Sequence, residues 1–340
     1  MNSHTIELGH GGGGVQMNRL IQEVFFAAFG NELLQREEDA AILPLPSGAQ
    51  STMAFTTDSF TVTPLIFNGG DIGKLAIAGT VNDLAMMGAK PQYLSCSFII
   101  EEGLPLATLK AVAQSMAKEL AISGAHIVCG DTKVVPRGCA DQLFINTTGI
   151  GLVQKPGLSA SNVADGDAII VSRDVGCHGA TILMNREGLE LGSALASDCA
   201  TLWPVVEALI AADLDIHALR DATRGGLAAV VNEWAQASAV AIELNEAAIP
   251  VCDEVRGLCE LYGMEPFQLA NEGTFILALP AAQAEQALTI MRQFSPSTNA
   301  AIIGRASHSE QQAGTVVLQT PWGSQRYLEV PPGELLPRIC

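Results

Sequence analysis

KPGLSASNVADG, residues 155–166, is polar and carries one proline and two glycines, a composition that interrupts the apolar periodicity on either side and marks a domain boundary. Each flank alternates helix and strand signals. Before it, Leu20, Ile21, Val24, Phe25 and Phe29 recur at helical spacing within residues 17–34, residues 55–62 alternate as a strand, 74–87 read as an Ala-rich helix and 93–100 as a strand. Pro105 suits the first turn of a helix reaching Ile122, Gly124 suits its C-terminal cap, and 126–135 and 143–153 read as strands. After it, strands are predicted over 168–172, 242–244, 274–279, 300–304 and 315–319, and helices over 179–186, 198–212, 225–237, 251–262 and 283–294. Both halves are therefore mixed α/β (α+β): residues 1–155 form one domain, 156–330 a second, and 331–340 a tail.

The 340 residues agree with that division, since domains run to about 150 residues each. With 48% hydrophobic and 16% charged residues the chain can bury a large core and is not a disordered protein. A net charge of -18 repels phosphate backbones and excludes nucleic acid as the main partner. No window approaches the roughly 18 consecutive apolar residues of a membrane span, and MNSHTIELGH lacks the basic and apolar parts of a signal peptide, so a cytoplasmic location away from membranes is expected. The eight cysteines form no CxxC pair, and Cys252 and Cys259 have no nearby histidine, which argues for free thiols rather than zinc or disulfides. Most read as small core hydrophobes; Cys340, the last residue, does not.

Several short polar breaks carry candidate chemistry. HGGGG, from His10 through Gly11, Gly12 and Gly13 to Gly14, could offer backbone amides to an anion ahead of a helix, although glycines alone also suit a linker. Asp58 in FTTDSF, Asp83 in GTVNDL and Asp131 in CGDTK each suit a cap or turn in isolation. Brought together, they would repel one another until a hard divalent cation such as magnesium joined them. Lys74 could pair phosphates or lie solvated at a helix start; on an ideal helix, at about 100° per residue, it lies roughly 180° from Asp83 and 80° from Asn82, so one face cannot present both. RDATRGG, with Asp221 and Arg224, and ANEG, with Glu272, have the composition of phosphate loops or of turns. In PPGELLPRIC, Pro331, Pro332 and Pro337 keep the segment extended. Nine steps of roughly 3.3 Å allow a mobile arm to carry the Cys340 thiol about 30 Å. The adjacent carboxylate hinders ionisation of that thiol and Arg338 favours it.

Taken together, FTTDSF, IGKLAIAGTVNDLAMMGAKP, CGDTKVV, LRDATRGG, NEG and the terminal PRIC resemble the HypE family of hydrogenase maturation proteins over nearly the whole chain. That family falls in the ATP-using superfamily of aminoimidazole ribonucleotide synthetase, selenophosphate synthetase and thiamine monophosphate kinase, and the PRIC ending singles out HypE within it. The N-terminal loop reads HGGGG where the family pattern is HGSGG or a close variant, which keeps amide donors and removes a hydroxyl. The resemblance implies two aminoimidazole ribonucleotide synthetase-like domains, with N-terminal domains pairing in a homodimer and ATP with Mg2+ bound near the interface. It implies dehydration of an S-carbamoylated Cys340 to a thiocyanate, with ATP becoming ADP and phosphate. Glu272 is then the candidate base, and Lys133 either assists as a base or holds phosphate as a cation. Gly11 to Gly14, Lys74, Asn82, Asp221 and Arg224 are candidate nucleotide contacts, and Asp58, Asp83 and Asp131 candidate magnesium ligands. The implied partners are a HypF-like carbamoyltransferase and a HypC/HypD-like complex that assembles the iron centre of a nickel-iron hydrogenase. The alternatives are a small-molecule synthetase or kinase of the same superfamily, or a non-catalytic nucleotide-binding scaffold. A selenophosphate synthetase would want a reactive cysteine by the glycine loop, and none precedes Cys96.

Overall fold

A computed structural model describes residues 14–20, 22–23, 38–44, 52–189, 195–309, 311–331, 333 and 335–340. His10 and Gly11 to Gly13, and most of the helix expected over 17–34, lie outside these; of that helix the structure shows α1, Val15–Leu20.

The first half builds a five-stranded sheet from β1 (Ala41–Pro44), β2 (Thr52–Phe60), β5 (Ala89–Glu101), β6 (His126–Val135) and β7 (Leu143–Val153), in the order β1-β2-β7-β5-β6. A small ribbon of β3 (Ile66–Phe67) and β4 (Gly70–Asp71) leads into α2, Ile72–Met86. Asp71 caps that helix, accepting from the N–H groups of Gly73 and Lys74 at 2.7 and 3.1 Å. Apart from Lys74 and Asp83, every residue of α2 is buried, as expected of a helix that is apolar all round. The helix lies between β2, β5 and β7 on one side and the second sheet's edge on the other. The next helix, α3 (Leu106–Ser123), starts one residue after Pro105 and ends at Gly124, whose φ of 72° is left-handed.

The second sheet has seven strands: β8 (Asp167–Val171), β9 (Ala218–Asp221), β10 (Ala241–Asn245), β11 (Phe275–Pro280), β12 (Ala301–Ser307), β13 (Val316–Gln319) and β14 (Gln325–Tyr327), in the order β14-β13-β10-β12-β8-β11-β9. Its helices are α4 (Cys177–Glu187), α5 (Trp203–Ala211), α6 (Gly226–Ser238), α7 (Asp253–Tyr262) and α8 (Ala284–Met291). The short edge strand β9 and the strands β1, β3, β4 and β14 escape the sequence reading because too few residues alternate. The helix expected over 198–212 starts only at Trp203: residues 198–202 form a loop, whose Asp198 carboxylate accepts from the N–H of Gly273 at 2.9 Å and the hydroxyl of Thr274 at 2.7 Å. One core runs through both sheets, joining Phe60, Ile77 and Leu94 to Trp203, Leu277 and Ile339. All eight cysteines are free of disulfides. Among the described residues, no helix is long and apolar enough to cross a membrane.

Candidate active site

Side chains alternate along β2, so Ala54, Thr56, Asp58 and Phe60 share the face turned to α2. Asp83, near the end of α2, meets that row: Thr56 Oγ1 donates to Asp83 Oδ2 at 2.7 Å. On the opposite side of the helix lies β9, which places Asp221 at its last position, paired in register with Phe275 of β11. The loop before β11 carries Glu272, so the antiparallel pairing brings Asp221 and Glu272 to one end of the sheet. That loop is held tightly. Asp198 accepts from the Glu272 N–H at 3.1 Å, and a Cβ on Gly273 would stand 1.9 Å from Asp198 O, so only glycine fits there. Asn271, fully buried, accepts from Gly176 N at 2.7 Å and donates to Ala222 O at 2.7 Å.

These elements enclose a cleft of about 210 Å³ lined by Asp39, Asp58, Asp83, Asp221, Arg224, Glu272 and Cys340 among others. Ligand oxygens of Asp39, Asp83 and Asp221 lie within 4.8 Å of one another. Burial pushes every one of these acids upward: Asp83 and Asp39 rise well above the ordinary carboxylate range, Asp58 rises, and Asp221 reaches about 7. After burial, the neighbouring acids are the main cause for Asp83, with Asp58, Asp221 and Asp39 all raising it. Glu272, 4% exposed, is driven well above its usual value by burial and then by Asp221 and Asp198, while Arg224 pulls it back. Among the described residues Asp39 Oδ2 and Glu272 Oε1 are buried without a hydrogen-bond partner. Buried acceptors without donors, in a cluster of hard oxygens, fit a divalent cation.

The tail is docked in this structure. Cys340 lines the cleft, and its carboxylate oxygen accepts from the N–H of Thr61 at 2.9 Å.

Not every residue singled out in the sequence comes to this place. Asn82 is buried away from the cleft, its amide donating to Ala200 O at 3.0 Å and accepting from Leu202 N at 2.8 Å, so it ties α2 to the loop before α5. Lys74 stands at the other end of α2 from Asp83 and donates to Gly69 O at 3.0 Å. Gly14 packs against the base of the tail, where a Cβ would meet Pro331 O at 2.5 Å. Asp131 and Lys133 lie on the edge strand β6, exposed and paired with each other at 2.8 Å, outside the cleft lining of this chain. Two functional candidates escape the sequence reading. Asp39 follows REE in a charged run that reads as solvated surface, yet it is ion-paired to the partly buried Arg220 at 2.7 Å. Arg220 belongs to the unrecognised strand β9.

The chain matches two domain families nearly in tandem: "AIR synthase related protein, N-terminal domain" over residues 37–153 and "AIR synthase related protein, C-terminal domain" over 164–317. The protein is therefore of the aminoimidazole ribonucleotide synthetase type, in which two mixed α/β domains share a cleft. Within that class, the carbamoyl dehydratase HypE of Escherichia coli K12 is 47% identical over 99% of this chain and 100% of its own. A structure of HypE in complex with ATP is 46% identical, with a TM-score of 0.82 and coverage of 99% of this chain and 100% of that one. A structure of the HypE–HypF complex is 42% identical, with a TM-score of 0.85 over 92% of this chain and 99% of that one. The chain belongs to the HypE family, the carbamoyl dehydratases of hydrogenase maturation, and is an ATP-dependent enzyme.

Proposed function

We propose that this cleft dehydrates an S-carbamoyl group on Cys340 to a thiocyanate, the reaction that supplies the cyanide ligand for the iron centre of a nickel-iron hydrogenase. The observation that carries the reading is that Cys340 and Glu272 line the same cleft. A primary thiocarbamate does not lose water readily, because its oxygen leaves poorly. Attack by that oxygen on the terminal phosphorus of ATP expels ADP and turns the oxygen into a phosphate ester. Loss of one N–H proton gives the C=N bond; removal of the second, with departure of phosphate, gives C≡N. The oxygen of the formal water thus ends in phosphate, and the two protons go to base and solvent.

Glu272 suits the second proton transfer, since burial makes its carboxylate a strong base once ionised. Arg224, in the same cleft, favours that ionised form and offers positive charge to a phosphoryl group. Asp39, Asp83 and Asp221, with Asp58 beside them, would hold magnesium, which when bound offsets phosphate charge. Cation binding would also remove the mutual repulsion that keeps these acids, and Glu272, protonated.

We further propose a homodimer. The face of the first sheet turned away from α2 presents Phe55, Ile150 and Tyr93 in one cross-strand row, with Phe55 40% and Tyr93 51% exposed, and Ile99, further along β5 on the same face, is 43% exposed. Such an apolar face calls for a cover. In this arrangement Asp131 and Lys133 belong to a second copy's nucleotide site rather than to their own chain's cleft. A HypF-like carbamoyltransferase would load Cys340, and a HypC/HypD-like complex would receive the cyano group; the large acidic excess suits docking to basic partner surfaces.

Cys340→Ser tests the carrier. It should retain its fold and ATP affinity and form no thiocyanate after loading with a carbamoyl donor, the transferase and ATP. Full thiocyanate formation in this variant would end the proposal.

A further inference from the structure

Three successive carbonyls of the C-terminal segment, and a carboxylate oxygen of Cys340 after them, are each gripped by the body of the protein. Arg186 of α4 donates to Pro337 O at 2.6 Å and to Arg338 O, while its Nε donates to Thr63 O at 2.7 Å. His178, fully buried on the same helix, bonds Ile339 O through Nε2 at 2.7 Å. A carbonyl only accepts, so Nε2 carries the proton and Nδ1 accepts from the Ser197 hydroxyl, also at 2.7 Å. Ser197 Oγ also accepts from the Cys199 N–H at 3.1 Å, which holds the hydroxyl in place beside the ring. Thr61 completes the row at Cys340 O with its N–H at 2.9 Å and its hydroxyl at 3.2 Å.

Side chains add less selectivity. Arg338 adopts a left-handed φ of 54°, donates to Thr61 O at 2.9 Å, pairs with Asp141 and lies over the Phe144 ring at 5.7 Å. Ile339 is buried in the shared core. All of the contacts from Arg186, His178 and Thr61 to residues 337–340 are made to main-chain oxygens.

We propose that Arg186 and His178 are positioning residues that dock residues 337–340 by their backbone, so that the same seat holds Cys340 whether its sulfur carries hydrogen, a carbamoyl group or a cyano group. The inference rests on the reading of Cys340 as the carrier. An undocked arm would sample a wide volume, and fixing its last residues converts that search into an oriented encounter. Reading carbonyls rather than the thiol lets the chemistry on sulfur change without releasing the arm. Release to partners needs no change of fold, since only these hydrogen bonds, the Arg338–Asp141 pair and the burial of Ile339 at the end of the chain have to open.

The test uses full-length protein and two readouts. The first is the rate at which iodoacetamide alkylates Cys340, followed by mass spectrometry of the C-terminal peptide. The second is kcat for dehydration against KM for ATP. Arg186→Met keeps the stem and removes three donors; it should speed alkylation of Cys340 about tenfold and lower kcat with KM for ATP unchanged. Arg186→Lys should restore part of both, and His178→Gln, which keeps a donor near the place of Nε2, should lie closer to the unmodified protein than His178→Ala. An unchanged alkylation rate in Arg186→Met overturns the proposal, as does a fall in kcat matched by an equal weakening of ATP binding, the mark of a merely structural role. Alkylation does not use the reaction, so docking is read even where the carbamoyl group travels on another residue. Mapping the adduct in the unmodified chain tests the carrier reading by itself.

Discussion

Asp83 and Asp131 are both aspartates in short polar breaks, and both read from the sequence as magnesium ligands, yet the fold gives them opposite electrostatics. Asp131 stands on the open edge strand β6, more than half exposed, and its pKa is lowered by hydrogen bonds from Lys133 and from the Thr132 N–H. Asp83 is enclosed between β2, α2 and β9, and its pKa is raised by burial and by three neighbouring acids. A solvated carboxylate with its own lysine needs no cation. A cluster of desolvated carboxylates with orphaned oxygens is unstable without protons or metal, an instability that a bound cation would relieve. The contrast separates a buried cleft from an exposed sheet edge of the same domain.

The largest expected effect lies on the buried side. Glu272→Gln keeps shape and hydrogen-bonding capacity but cannot take up a proton, so single-turnover dehydration should slow by about a hundred- to ten-thousand-fold with ATP binding largely retained. In the unmodified protein the same rate should fall as pH drops, because the base works only when ionised and its pKa is raised. If extra magnesium restores the rate of Glu272→Gln, Glu272 is a metal ligand instead.

Asp83→Asn should weaken turnover at limiting magnesium by roughly tenfold and recover in part as magnesium is raised. Its stability tells the same story with a definite sign. Asp221 has a folded pKa of about 7, against an ordinary carboxylate value near 3.9, so the folded state holds a proton that the unfolded state has lost. Stability of the magnesium-free protein should therefore fall as pH rises from about 4 to about 7, and magnesium should raise the melting temperature more at pH 8 than at pH 5.5. Removing one like charge in Asp83→Asn should stabilise the magnesium-free protein at pH 8 by on the order of 1 kcal/mol. Equal melting temperatures at both pH values, with and without magnesium, would break the comparison.

The smallest effect is expected at the edge. Asp131→Asn should change folding stability by less than about 0.5 kcal/mol, since exposed pairs contribute little, while any loss of turnover should require the dimer.

Much of this was open to inspection in the sequence because local pattern and tertiary role coincide. The Ala-rich run of α2 shows itself as a helix, NEG announces a turn before an apolar strand, and β7 alternates buried and half-buried positions over nearly its full length. The remainder depends on contacts between distant residues. Asp198 follows small apolar residues and precedes LWPVVEAL, so periodicity extends the helix through it, whereas its carboxylate actually serves amides 75 residues away. Asn82 and Asp83 are neighbours in NDL, but adjacent helical positions face different ways, and only the packing tells which one meets the acids. Asp39 has no periodic context; its partner Arg220 sits on a strand too short to register.

The most direct measurement is the mass of the C-terminal peptide from the unmodified full-length protein, carbamoylated by its transferase and then given ATP with or without magnesium. The account predicts that the peptide bearing Cys340 loses the mass of one water, that the loss requires magnesium and ATP, and that one ADP forms for each peptide converted. A dehydrated adduct on an internal cysteine, or conversion of Cys340 without ATP consumption, would contradict it.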